Sequence, residues 1–382
     1  MPSVMSFPTR IVHGKGAIQE LPNELSRAGA KKPLLVTDKG IVQSGLLQQV
    51  MPVLERAGIK APLFTEFAPN PTDADAIRGV EAYRAAGADS VLGIGGGASL
   101  DMAKAIALLV NHPPPLAKYD DAKGGDAFIT SKVPPILQVP TTAGTGSEVG
   151  RSTVLVIDGT KTVIFSPYLL ARVAILDPEL TVGLPPFITA ATGMDALTHN
   201  LEAYVAKGNH PLADAIAIDG MKRIAANLKK VVQNGKDVEA REQMLLGSAF
   251  GAIAFQKGLG ACHSVAHALT PIAGTHHGLA NSLMLPEVVD FNRGAAEARL
   301  AEAAVAIGAD PRVSAQERAH ALVETIDQLR VACGLPRRLS QAGVKREMLP
   351  HIVEKALLDG CHQSNPRPVS KADFERMLDA AF

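Results

Sequence analysis

The sequence predicts an α/β N-terminal domain joined to an all-α C-terminal domain. Three observations carry that expectation. The chain has 382 residues, more than one hydrophobic core usually serves, so two domains are the default. Its first half alternates short apolar runs with amphipathic stretches, the pattern of βαβ units. Beyond residue 186, Ala, Leu, Glu and Arg recur at helical spacing with almost no strand-like run. The break falls near Gly183 to Pro186, at the end of "DPELTVGLPP" (177–186), where "VGLPP" reads as a hinge, and it sets the expected domains at 1–184 and 185–382.

Taken in order, "KPLLVTD" (32–38), "DSVLGIG" (89–95), "PPILQVP" (134–140) and "VAILD" (173–177) are apolar runs bounded by Gly, Pro or Asp. Strands buried on both faces read this way. "DADAIRGVEAYRAAGA" (73–88) places apolar residues at helical spacing between the first two. "STVLVIDGTKTVIFS" (152–166) reads as a hairpin around Asp158-Gly159.

Composition narrows the function. Apolar residues are 47% and charged residues 20% of the chain, and 38 basic residues balance 38 acidic ones. No run of like charge marks a nucleic-acid or anionic-membrane surface. No apolar stretch approaches the roughly 20 residues that span a bilayer, and "MPSVMSFPTRIVHGKG" lacks the apolar core of a leader. Three cysteines without CxxC spacing indicate neither a disulfide framework nor a thiolate zinc site. The expectation is a cytoplasmic protein with no nucleic-acid or membrane partner.

In "LGIGGGASLDMAKA" (92–105) a strand runs into three glycines, and Ser99 stands at the expected helix start with Asp101 in its first turn. Unpaired backbone N–H groups there favour an anion, and glycine lets a pyrophosphate approach. The pattern is not GxGxxG, and a tight βα turn is the alternative. "PTTAGTGSEVGR" (140–151) adds hydroxyl and amide donors after another strand, which favours a dinucleotide over a lone phosphate. Asp38, at the carboxyl end of the first strand, can bind ribose hydroxyls and repel a 2′-phosphate, favouring NAD over NADP; an Asp in a simple turn is its other reading.

Six of the eleven histidines lie between positions 199 and 277. Asp195 and His199 stand four apart in one helical run, and His263 and His267 repeat that spacing in another. His276 and His277 precede a third. A lone histidine is more often packed than ligating, but paired imidazoles within apolar helices are costly to bury without a partner. Imidazoles with one carboxylate suit Fe(II), Zn(II) or Mn(II). His210, outside both pairs, reads as a surface residue.

These motifs resemble the iron-containing (group III) alcohol dehydrogenase family over nearly the whole chain. The likeness rests on "VTDKG", "PNPT" (69–72), "GIGGGASLDMAKAIA", "VPTTAGTGSEV", "DPELTVGLPP", "TGMDALTHNLEAYV", "HHGLANSLMLP" and "NPRPV" (365–369). It implies the fold shared with dehydroquinate synthase: a dinucleotide-binding α/β domain, a helical metal-binding and substrate domain, a catalytic metal in the cleft between them, and a homodimer. By motif, the metal ligands would be Asp195, His199, His263 and His277, the last chosen over His276 because the ligand directly precedes Gly278. The metal would be Fe(II), with Zn(II) accepted by the same ligands. NAD would touch Asp38, Asn70, the turn of Gly96, Gly97, Ala98 and Ser99, then Thr141, Thr142, Thr145 and Lys161. Ala98 replaces the family's usual Ser, and Glu287 stands where the family often has His.

"AFQKGLGACHS" (254–264), Arg151 and "CHQSNPRP" (361–368) resemble the 4-hydroxybutyrate dehydrogenase branch. Arg151 and Lys257 are the candidate cations for a substrate carboxylate; pairing with protein acids is their other reading. The expected reaction is NAD-linked oxidation of a small primary alcohol to its aldehyde. A metal would act as Lewis acid and His267 as proton relay, or as a group that orients a ligand. Two alternatives stand beside it: a metal-dependent sugar-phosphate cyclase resembling dehydroquinate synthase, and a noncatalytic metal- or nucleotide-binding protein.

Overall fold

The computed structural model describes residue 7 and residues 9–382; residues 1–6 and 8, part of the stretch read for a leader, lie outside the described residues. The chain forms two compact units. One comprises residues 7–142 and 146–183; residues 143–145 belong with 184–382 in the other.

The first unit is built on strands β1 (Arg10–His13), β2 (Pro33–Val36), β3 (Leu63–Phe64), β4 (Ser90–Gly95), β5 (Ile136–Pro140), β6 (Ser152–Ile157), β7 (Thr160–Phe165) and β8 (Val173–Leu176). Six of them make a parallel sheet in the order β1-β8-β5-β4-β2-β3. Its helices are α1 (Leu21–Arg27), α2 (Lys39–Gln43), α3 (Leu47–Arg56), α4 (Asp73–Ala85) and α5 (Gly97–Asn111). Side chains alternate across the pleat. Leu34, Val36, Val91 and Ile136 pack with Val80, Met102 and Ile106 on one face. Leu35, Leu92, Ile94 and Leu137 pack with Leu25 and Leu54 on the other. Burial on both faces explains why these strands read as continuous apolar runs.

The hairpin expected at 152–166 is the antiparallel pair β6–β7. Asp158 and Gly159 turn with φ of 50° and 73°, the two positive values that a tight hairpin demands. Thr72 opens α4 with a reciprocal capping box to Asp75. One boundary moves: α5 begins at Gly97 with Gly96 as its N-cap, not at Ser99. Strand β3 escapes the sequence reading because two residues carry too little pattern, and β1 because its ends, Arg10 and His13, are polar and exposed, so that no apolar run marks it.

The second unit contains α6 (Pro186–Val205), α7 (Pro211–Gln233), α8 (Val238–Ala254), α9 (Ala261–Ala273), α10 (His277–Ala306), α11 (Ala315–Ala332), α12 (Leu349–Leu358) and α13 (Lys371–Ala381). They share one apolar core that includes Leu197, Leu201, Ile224, Val265, Leu283, Leu322 and Phe374. His210 is not a surface residue: it is buried, and its Nδ1 caps α7 by accepting from Ala213 N. Among the described residues no helix is long and apolar enough to cross a membrane.

Candidate active site

Three helices of the second unit bring the expected metal residues together. α6 carries Asp195 and His199 on one face, α9 carries His263, and α10 begins at His277. Asp195 Oδ1 lies 3.6 Å from His277 Nε2, 3.7 Å from His263 Nε2 and 4.0 Å from His199 Nε2. The His199 and His263 rings stack at 4.4 Å. His276, next to His277, is exposed. Gly278 permits the approach. A Cβ there would stand 2.2 Å from Ala191 O and 3.2 Å from Asp195 Cβ, so only glycine lets the first turn of α10 lie against α6.

Two buried polar residues that the sequence reading missed complete the cluster. Glu202 Oε2 accepts from His263 Nδ1 at 2.6 Å, and its Oε1 from Cys262 N at 2.7 Å. This anchors the Nδ1 proton and turns Nε2, the nitrogen that a metal would take, toward Asp195. His199 Nδ1 donates to Gly144 O at 3.3 Å, with the same result. Asn281 Nδ2 donates to Asp195 Oδ1 at 2.7 Å and lies 3.2 and 3.3 Å from His263 Nε2 and His277 Nε2. Glu202 sits three residues after His199 and Asn281 four after His277, the helical spacing that could have revealed both.

The electrostatics reflect the crowding. Burial raises the Asp195 carboxyl, but His199, His277 and His263 outweigh it and hold the group well below the usual carboxylate range. Burial brings His199 down to about 4. Burial also opposes the charge on His263, yet Asp195 and Glu202 push it up to about 9. The donor set fits a divalent ion. One carboxylate oxygen and two imidazole nitrogens crowd a single amide nitrogen, and a dication answers all three. The edge of a tetrahedral nitrogen–oxygen site is about 3.3 Å, close to the separations here.

His267 flanks this cluster. Its ring stacks on His277 at 5.3 Å, and Nδ1 donates to Asp359 Oδ2 at 2.8 Å.

In the first unit, Asp38 N-caps α2 through Ile41 N at 3.0 Å, and its other oxygen accepts from Ser99 Oγ at 2.9 Å. The carboxylate thus lies where β2 and β4 end. Gly95 has φ 146°, and a Cβ there would stand 2.5 Å from Ser99 Oγ. No side chain caps α5, so its first-turn N–H groups stay available. The Thr141 hydroxyl is buried without a hydrogen-bond partner among the described residues. An orphaned donor beside an uncapped, glycine-lined helix start fits a dinucleotide. Thr142 approaches Gly96 in the same unit, whereas Thr145 belongs to the helical unit. Asn70 is exposed in the turn before α4, and Lys161 lies on β7 opposite Val156.

Asp101 turns away from that helix start: Oδ1 accepts from Ser147 Oγ at 2.6 Å and Oδ2 from Val154 N at 3.2 Å. Lys104, also missed, is fully buried. Its ammonium reaches Ser147 O at 2.6 Å, Ser147 Oγ and Gly150 O at 3.0 Å, and Ser152 O at 2.8 Å. One cation therefore ties down the chain after Thr145, and burial lowers its pKa to about 8.

The two expected carboxylate anchors differ. Lys257 Nζ is bonded to Asp214 Oδ1 at 2.6 Å and Tyr204 O at 2.8 Å, with its side chain only 1% exposed. The buried ammonium is committed to Asp214, which it shares with Arg299, and this favours its other reading, pairing with a protein acid, over a substrate anchor. Arg151 is half-buried ahead of β6, and burial lowers its pKa.

Comparison with known proteins gives this arrangement a class. A model described as iron-containing alcohol dehydrogenase matches residues 8–178, and one for the C-terminal part of the Fe-containing alcohol dehydrogenase family matches 189–382. The chain is 40% identical over 378 residues to 4-hydroxybutyrate dehydrogenase of Cupriavidus necator, covering 96% of each. It is 36% identical over 381 residues to NAD-dependent methanol dehydrogenase of Bacillus methanolicus, covering 98% of this chain and 99% of that one. A crystal structure of 1,3-propanediol oxidoreductase superposes with a TM-score of 0.95 at 35% identity, covering all of both chains. Fold and site thus define an oxidoreductase that interconverts alcohols and aldehydes. More narrowly, the chain belongs to the iron-containing alcohol dehydrogenase family.

Proposed function

We propose that this enzyme holds Fe(II) on Asp195, His199, His263 and His277 and uses NAD to interconvert an ω-hydroxy acid such as 4-hydroxybutyrate with its aldehyde. The observation that carries the reading is the convergence of three imidazole nitrogens on Asp195 Oδ1. Zn(II) satisfies the same donors. When bound, the metal supplies Lewis-acid polarisation of the substrate oxygen, and the nicotinamide supplies the hydride acceptor.

The chain's own residues do the rest. Glu202 anchors the His263 Nδ1 proton, which leaves Nε2 as the nitrogen that a metal takes. His267, anchored to Asp359 through Nδ1, keeps Nε2 to accept or return the alcohol proton. Asp38 binds the ribose hydroxyls, and the first turn of α5, from Gly96 to Ser99, receives the pyrophosphate. Asn70, Thr141, Thr142, Thr145 and Lys161 complete the cofactor contacts. Arg151 pairs with the substrate carboxylate. Likeness to the Cupriavidus necator enzyme supports this substrate class, and likeness to the Bacillus methanolicus enzyme supports NAD. The same reading makes the enzyme a cytoplasmic homodimer.

The test is a substrate panel on protein stripped of metal and reloaded with Fe(II) or Zn(II). With NAD, kcat/KM for 4-hydroxybutyrate should exceed that for 1-butanol by about tenfold or more, and Arg151→Ala should erase the difference, the scale of one charge-assisted hydrogen bond. Equal or better turnover of 1-butanol contradicts the carboxylate anchor.

A further inference from the structure

Beside the first cluster the helical unit assembles a second set of donors. Asp359 follows α12, and Cys361 begins a short 3-10 turn, Cys361–Ser364. Asp359 Oδ1 accepts from Ser264 Oγ and from Cys361 N, both at 2.8 Å, while Oδ2 accepts from His267 Nδ1 at 2.8 Å. Ser264 Oγ also accepts from His362 N at 2.9 Å. One serine of α9 therefore pins both sides of the turn and holds Cys361 near His267. A ring nitrogen of His267, a carboxylate oxygen of Asp359 and Cys361 Sγ lie within 4.8 Å of one another, all three residues half-buried.

We infer that His267, Asp359 and Cys361 form a second metal site, suited to Zn(II), whose occupation inhibits the enzyme by removing His267 from proton transfer. The donor classes choose the ion. A thiolate turns away Mg(II) and Ca(II), whereas zinc takes sulfur, imidazole nitrogen and carboxylate oxygen together and accepts a fourth ligand from solvent. Binding deprotonates the thiol and releases that proton to water. Charge permits two neighbouring dications. Asp195, Glu202, Asp359 and the thiolate that Cys361 becomes on binding carry four negative charges against their four positive ones. The binding half of this inference is independent of the reaction proposed above; the inhibitory half rests on the role given there to His267.

Cobalt(II) makes the second site visible, since Cys361 is the only sulfur in either donor set. One equivalent added to metal-free protein should give no sulfur-to-cobalt charge-transfer absorption, and a second should produce it. Cys361→Ser should lack the band, hold one zinc per chain in equilibrium dialysis where the native protein holds two, and lose at least about tenfold in sensitivity to excess zinc. Asp195→Ala reports separately on the first site, because it should retain the band. Absence of the band from native protein at two equivalents overturns the site whatever the variant does. A band that survives in Cys361→Ser places the metal on another thiol and equally overturns it. Zinc that binds with the band but leaves turnover unchanged overturns the inhibitory half.

Discussion

Asp195 is a carboxylate with 2% exposure among three imidazoles, and such a group is costly to bury without matched charge. The account therefore predicts that His263→Ala loses the metal and with it alcohol turnover. Glu202→Gln keeps an acceptor for His263 Nδ1 but gives up its charge, so metal affinity should fall about 10- to 100-fold with the protein folded. Equilibrium dialysis checks both; unchanged metal content in His263→Ala removes that residue from the ligand set. At this scale the sequence spoke where residues share a helix. The i, i+4 pairs of 195 with 199 and 263 with 267 announced common faces. Glu202 and Asn281 stand at helical spacing from His199 and His277, but the partners that give them a role, His263 and Asp195, come from other helices. Lys257 gave no sign of its partner for the same reason: Asp214, with which it pairs, lies 43 residues away.

At the scale of elements, the site depends on how closely α10 meets α6. Gly278→Ala would set a Cβ against the Ala191 carbonyl, and backbone cannot swing aside as a side chain tip can. The helix must shift, at about 1–3 kcal/mol, and carry His277 away from Asp195. Dialysis should show weakened metal binding together with a lower melting midpoint; unchanged affinity would contradict the packing argument.

The chain after β5 offers a pH test. Burial raises Glu148 to about 7 from an ordinary 4.5, against its own backbone and Lys104. Between those values the folded protein keeps a proton that the unfolded chain has released. This contribution to stability is whole below about pH 4.5 and is lost as pH rises through about 7, at most about 3 kcal/mol. Glu148→Gln should therefore gain in melting midpoint over the native protein across that range and run parallel above it. Parallel profiles throughout would contradict a proton on Glu148.

For the whole molecule, what was legible was periodicity. Buried parallel strands announced themselves as apolar runs closed by Gly, Pro or Asp, and the second half as unbroken helical spacing. Strand order was not legible, because it is set by crossovers and packing between distant segments rather than by local pattern. Nor was the membership of residues 143–145 in the helical unit, a property of tertiary packing. The central claim concerns four side chains drawn from three helices, and anomalous diffraction tests it most directly. Crystals of protein loaded with one equivalent of Fe(II), measured on both sides of the iron edge, should show one strong peak within bonding distance of Asp195, His199, His263 and His277. A peak elsewhere, or none at that point in iron-loaded crystals, would contradict the account.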